Sequence, residues 1–180
     1  MEYKEHFLKG VVEFFPKQFK DNRGWFMESF NEKAMQQAGI PTVFVQDNQS
    51  VSFKNVLRGL HFQKPPFAQA KLVRAVAGRV LDVIVDIRKA SPTYGKHLAR
   101  ELNADQNNLL YVPEGFAHGF LALEENSVFL YKCSSYYHQE SESGLCWSDP
   151  DLNIDWGVKD PIVSEKDKIL PAFKDFVSPF

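Results

Sequence analysis

Short apolar runs with polar residues interspersed fill most of this chain, and turn residues separate them. In order they read GVVEFFP, WFMESF, PTVFVQD, VLRGLHF, KLVRAVAG, RVLDVIVDIR, HLARELN, LLYVP, HGFLAL and SVFLYKCSSYY. Such lengths and such residues predict strands. AGR, KASPTYG and PEGFA mark turns between them. Two segments read as short helices instead. NEKAMQQAG, residues 31–39, has an Asn start and a Gly stop; SEKDKIL, residues 164–170, has Ser164 as cap and Pro171 beyond its end. Many strands and few helices predict an all-β fold: a jelly-roll sandwich or barrel with a few short peripheral helices.

The alternation within strands says which residues share a face. In KLVRAVA, Lys71 falls with Val73 and Ala75. In VLDVIVDI, Asp82 falls with Ile84 and Asp86, opposite Leu81, Val83, Val85 and Ile87. One charged side chain from each strand is thereby expected inside the barrel. NVLRGLHFQ poses a sharper problem. Arg58 and His61 are three apart, so a regular strand would send them to opposite faces. Gly59 between them predicts a bulge, which shifts the alternation and lets both reach one cavity.

Composition narrows the class. A chain of 180 residues with 44% hydrophobic residues suits one globular domain spanning 1–180. A net charge of -2 excludes nucleic-acid binding through bulk charge, and the longest apolar runs are broken by aspartate, far short of a membrane span. Cys133 and Cys146 form no CxxC pair, and MEYKEHFLKG has no apolar signal core. A reduced, cytoplasmic protein is expected.

The chemistry-bearing segments have a distinctive order. DNRGWFMES, FVQDNQS, VLRGLHFQ, KLVR, VDIRKASPTYG, YVPEGFAHGF and FLYKCSSYY are followed by SEKD. In this order and spacing, from about Asp21 to Asp167, the chain closely resembles the dTDP-4-dehydrorhamnose 3,5-epimerase family of cupin-fold sugar-nucleotide enzymes. The resemblance implies a cupin-type jelly-roll barrel, a homodimer, no metal or organic cofactor, and a dTDP-linked 4-keto-6-deoxy sugar as substrate. The residues agree on the metal: His61 is followed by Phe62 and Gln63, His118 stands alone, and there is no HxH pair.

A ketone acidifies the hydrogens on both neighbouring carbons. Inverting one of these carbons needs a base on one face, a stabiliser for the enolate oxygen and an acid on the other face. His61 is the natural base. The resemblance implies Asp167 as its partner, while strand alternation leaves Asp82 in competition. Lys71 is the expected enolate stabiliser, and Tyr131 matches the family's proton donor. For the nucleotide, Arg23, Arg58 and Lys166 match pyrophosphate-binding positions, where the arginine fork suits phosphate oxygens. Tyr137 matches a thymine-stacking position, and Glu28, Gln46, Asp47 and Asn48 match polar contacts. Glu142 matches a further ligand contact. His118, in the PEGFAHGF turn region, matches a substrate-binding histidine. The Arg23–Glu28 segment is expected to reach the neighbouring subunit's site. KPPFAQA, residues 64–70, departs from the pattern with two prolines that stiffen the approach to Lys71. Inversion of both carbons is the leading expectation. Single-carbon epimerisation, ketoisomerisation or non-catalytic sugar-nucleotide binding are the alternatives.

Overall fold

The computed structural model describes residues 1–40 and 43–180. In chain order its strands begin with β1 (Glu2–Glu5), β2 (Val12–Phe15), β3 (Phe19–Asp21), β4 (Gly24–Phe26), β5 (Gln46–Ser52), β6 (Val56–Gln63) and β7 (Lys71–Ala77). They continue with β8 (Arg79–Asp86), β9 (His97–Asn103), β10 (Leu109–Val112), β11 (Phe116–Ala122), β12 (Ser127–Cys133), β13 (Glu142–Gly144) and β14 (Ile162–Val163). The helices are short: α1 (Glu32–Gln37), capped by Asn31, and α2 (Glu165–Lys168), capped by Ser164. Both caps are the residues expected, because each side-chain oxygen accepts a free first-turn N–H.

Two sheets form the jelly roll. One runs β1-β2-β10-β7-β12-β5; the other runs β13-β6-β11-β8-β9, with β14 added in parallel to β6. Between them one end is filled by apolar side chains, among them Val73, Ala75, Ile84, Leu110, Phe120 and Phe129. The outer face of the second sheet is covered by Leu57, Leu60, Phe62, Leu145 and Trp156. Lys71 shares its face with buried Val73 and Ala75, and Asp82 with buried Ile84, as alternation requires.

The bulge expected at Gly59 is present. His61 pairs with His118 and Arg58 with Phe120, so three steps on β6 oppose two on β11. Gly59 has φ +136°, and a Cβ there would lie 2.5 Å from Gly119 Cα. Glycine is therefore required twice over: by the backbone conformation and by the close crossing of β6 and β11.

Three boundaries depart from the pattern. PTVFVQD includes Pro41 and Thr42, outside the described residues, and the strand starts only at Gln46. The strand expected over WFMESF ends at Phe26. His118 is not in a turn: β11 begins at Phe116, because PEG makes the turn and the residues from Phe116 on pair with β8 and β6.

Candidate active site

The open end of the barrel holds a cavity of about 430 Å³ lined by Arg58, His61, Lys71, His118, Tyr131, Lys166 and Asp167, with Phe120, Phe129 and Ile162 as apolar wall. A second space of about 270 Å³ adjoins it, lined by Gln46, Asn48, Cys133, Tyr137 and Glu142. His61, Lys71 and Tyr131 line both. His61 comes from one sheet, and Lys71 and Tyr131 from the other. Imidazole and phenol therefore face a shared space from opposite walls.

His61 Nε2 donates to Asp167 Oδ1 at 2.6 Å. Nδ1 is thus the nitrogen left to accept a proton. Asp167 is buried on α2, where Ser164 Oγ accepts its backbone N–H, and its second oxygen accepts the Gly59 N–H at 3.3 Å. Burial works against the Asp167 carboxylate, but the hydrogen bond and charge of His61 and the Gly59 N–H outweigh it and lower its pKa. Asp82 does not partner His61. It lies on β8 and accepts from His118 Nε2 at 2.7 Å, both groups being buried. The physical reason is register: β8 pairs with β11, which stands between it and β6.

Lys71 Nζ sits 5.9 Å from the Tyr131 ring centroid. Burial pushes the Lys71 ammonium below its usual pKa, opposed by Cys133, Asp82 and Glu142. Burial raises the Tyr131 phenol, so it stays protonated at neutral pH and able to donate. Arg58 is braced by Ser52 Oγ, which accepts from Nε at 3.1 Å. At the rim, Glu142 Oε2 accepts from Tyr137 Oη at 2.7 Å and from Lys166 Nζ at 2.5 Å. Burial raises the Glu142 carboxyl, but these two donors prevail and lower it. Gln46 Nε2 donates to Asn48 Oδ1, and both point inward.

A model of the dTDP-4-dehydrorhamnose 3,5-epimerase family matches residues 5–175. The chain belongs to that family. A dTDP-4-dehydrorhamnose 3,5-epimerase from Shigella flexneri is 52% identical over 161 residues, 89% of each chain. The solved enzyme from Bacillus anthracis, with TDP and PPi bound, superposes with a TM-score of 0.93 at 43% identity, covering 96% of this chain and 100% of that one. The enzyme from Legionella pneumophila, in complex with dTDP-4-keto-L-rhamnose, gives 0.93 at 40% identity, covering 98% and 94%.

Of the residues the epimerase resemblance named, most converge on the two adjoining spaces; three do not. Arg23 projects from the β3–β4 hairpin, its side chain 86% exposed, and pairs with Asp21. Glu28 accepts from Asn31 beside Met1 and Phe19, away from the cavity. Asp47 alternates outward on β5 and pairs with Lys132 at 2.9 Å, so its carboxylate is directed away from the cavity. Sequence reasoning missed Ser50 and the wall of Val56, Leu57, Ile162 and Val163. The isolated IV of β14 is too short to show strand periodicity. Among the described residues, no group of three or more His, Cys, Asp or Glu side chains is arranged to hold a metal ion, and no helix is long and apolar enough to cross a membrane.

Proposed function

We propose that this protein inverts C3 and C5 of dTDP-4-keto-6-deoxy-D-glucose, giving dTDP-4-keto-L-rhamnose, by proton exchange through an enolate. The observation that carries the reading is the paired wall: His61 on one sheet, Lys71 and Tyr131 on the other, around one cavity. His61 Nδ1 takes the proton beside the ketone, and Asp167 steadies the imidazolium that forms. The electron pair moves onto the ketone oxygen, where the Lys71 ammonium meets the charge. Tyr131 returns a proton to the opposite face and regains its own from solvent, while the His61 imidazolium releases the captured proton to solvent. The same sequence serves both carbons flanking the carbonyl. Arg58 and Lys166 grip the pyrophosphate, Tyr137 stacks on the thymine, Gln46, Asn48 and Glu142 supply polar contacts, and His118, held by Asp82, contacts the sugar.

The outlying Arg23 and Glu28 fit a homodimer in which the β3–β4 hairpin reaches the neighbouring subunit's site. Supporting this, the hairpin presents Phe19, Trp25 and Phe26 more than half exposed, and edge strand β5 presents Val51. Residues 1–180 act as one cupin-like domain. Free Cys133 and Cys146 suit a reducing cytoplasm.

Incubation with the keto sugar nucleotide in D₂O, followed by NMR, tests the reading. Deuterium at both carbons is expected; deuterium at one carbon indicates a monoepimerase, and binding without exchange refutes catalysis. EDTA is expected to leave the rate unchanged; loss that added metal restores would contradict the cofactor-free route.

A further inference from the structure

Gln63 lies two residues beyond His61 on β6, so strand alternation puts both on one face. Its side chain is buried and its hydrogen-bonding capacity is nearly spent. Nε2 donates to the carbonyl oxygens of Phe67 at 2.6 Å and Tyr136 at 3.2 Å. Oε1 accepts the His138 N–H at 2.8 Å. Tyr136 and His138 flank Tyr137, whose own N–H goes to Gln46 Oε1 at 3.0 Å.

This clasp matters because no strand ladder holds Tyr137. β12 ends at Cys133, and the chain leaves the sheet there. Side chains must fix the loop instead. The Phe67 ring, on the 64–70 loop, reinforces it by stacking on the His138 imidazole at 3.8 Å between centroids and 5° between planes. Only a primary amide serves at position 63, since the site needs two N–H donors and an acceptor. Glutamate lacks the donors, and leucine lacks both.

We propose that Gln63 is a positioning residue for nucleotide recognition: it pre-orders Tyr137 in the geometry that stacks on the base. The proposal rests on the reading of Tyr137 as the thymine-stacking residue. Ordering a loop before binding reduces the entropy lost on binding, so the benefit falls on affinity rather than on proton transfer.

The test compares wild type with Gln63→Leu, Gln63→Glu, Tyr137→Ala and the Gln63→Leu/Tyr137→Ala double variant. Calorimetry gives dTDP affinity, and deuterium exchange gives kcat and KM. Gln63→Leu is expected to weaken dTDP binding on the order of tenfold and to raise KM similarly, with a smaller loss in kcat. In the Tyr137→Ala background the same change should add little, because the clasp acts through Tyr137. If leucine unfolds the protein, Gln63→Glu carries the test, since it keeps the shape and the acceptor but removes the donors. Unchanged dTDP affinity in the Gln63 variants, full additivity with Tyr137→Ala, or a loss confined to kcat overturns the clasp. If Tyr137→Ala itself leaves dTDP affinity intact, the stacking reading falls and the clasp with it.

Discussion

In the proposed mechanism His61 and Lys71 divide the chemistry by charge, and each role has a signature that pH or substitution can expose. Asp167→Asn keeps the shape beside His61 but removes the anion that holds the ring, so exchange should fall on the order of 10²-fold or more. Asp82→Asn should leave the His61 pair intact and act through His118, raising KM rather than abolishing exchange; equal losses from the two changes would contradict the pairing seen here. Lys71 must be cationic to meet the enolate. Burial lowers its pKa from 10.5, whereas burial raises the Tyr131 phenol from 10.0. As pH rises, Lys71 therefore loses its charge earlier than a free lysine would. The alkaline limb of kcat should appear below 10.5 and move upward in Lys71→Arg; a limb that ignores this substitution would contradict the role. At this scale the sequence was legible for placement, since the histidine, lysine and tyrosine picked out from it line one cavity. It was not legible for partners. The resemblance put Asp167 beside His61, but strand alternation kept Asp82 in competition until the hydrogen bonds and strand order separated them.

Strands set which of these residues meet. The bulge at Gly59 was readable because a glycine interrupted an otherwise regular strand between two candidate site side chains. Its necessity was not, since the close crossing with Gly119 depends on a segment sixty residues away. Gly59→Ala should destabilise the fold by roughly 2–3 kcal/mol, through a strained φ and a backbone clash, and should abolish activity by displacing Arg58 and His61. Urea denaturation measures the first effect; a variant as stable as wild type would refute the crossing. The VDIRKASPTYG segment has a structural use. Asp86 accepts from Arg88, Ser91 and Thr93 and closes the turn after β8. Burial would raise its pKa, but these donors lower it to about 2, against 3.8 for the free acid. Its contribution is complete above pH 3.8 and is lost as pH falls through about 2. Between pH 5 and 2, wild type should lose on the order of 2 kcal/mol more stability than Asp86→Asn. Parallel acid losses would remove Asp86 from this role. Boundaries at Phe26, Gln46 and Phe116 escaped the sequence because turn residues mark only neighbourhoods, while pairing decides where a strand begins.

For the whole molecule, the barrel was legible from many short strands, and most of the residues lining its cavity from the family pattern. The assembly was legible only as an expectation, and the exposed Arg23 gives it a concrete test. Arg23→Ala and His61→Ala should each be impaired. Mixing them under conditions that exchange subunits should restore activity, because one site in each mixed dimer then has both an intact hairpin and an intact base. No recovery, despite proven mixing, would confine each site to one chain.

The central claim is that His61 and Tyr131 act on one sugar from opposite walls. The most direct measurement follows solvent deuterium and product configuration together in Tyr131→Phe. The account predicts that His61, still present, removes the acidic hydrogens, exchanges them with solvent and returns deuterium to the same face, giving deuterated substrate with little inversion, while His61→Ala gives neither. Inversion at the wild-type rate in Tyr131→Phe would contradict it.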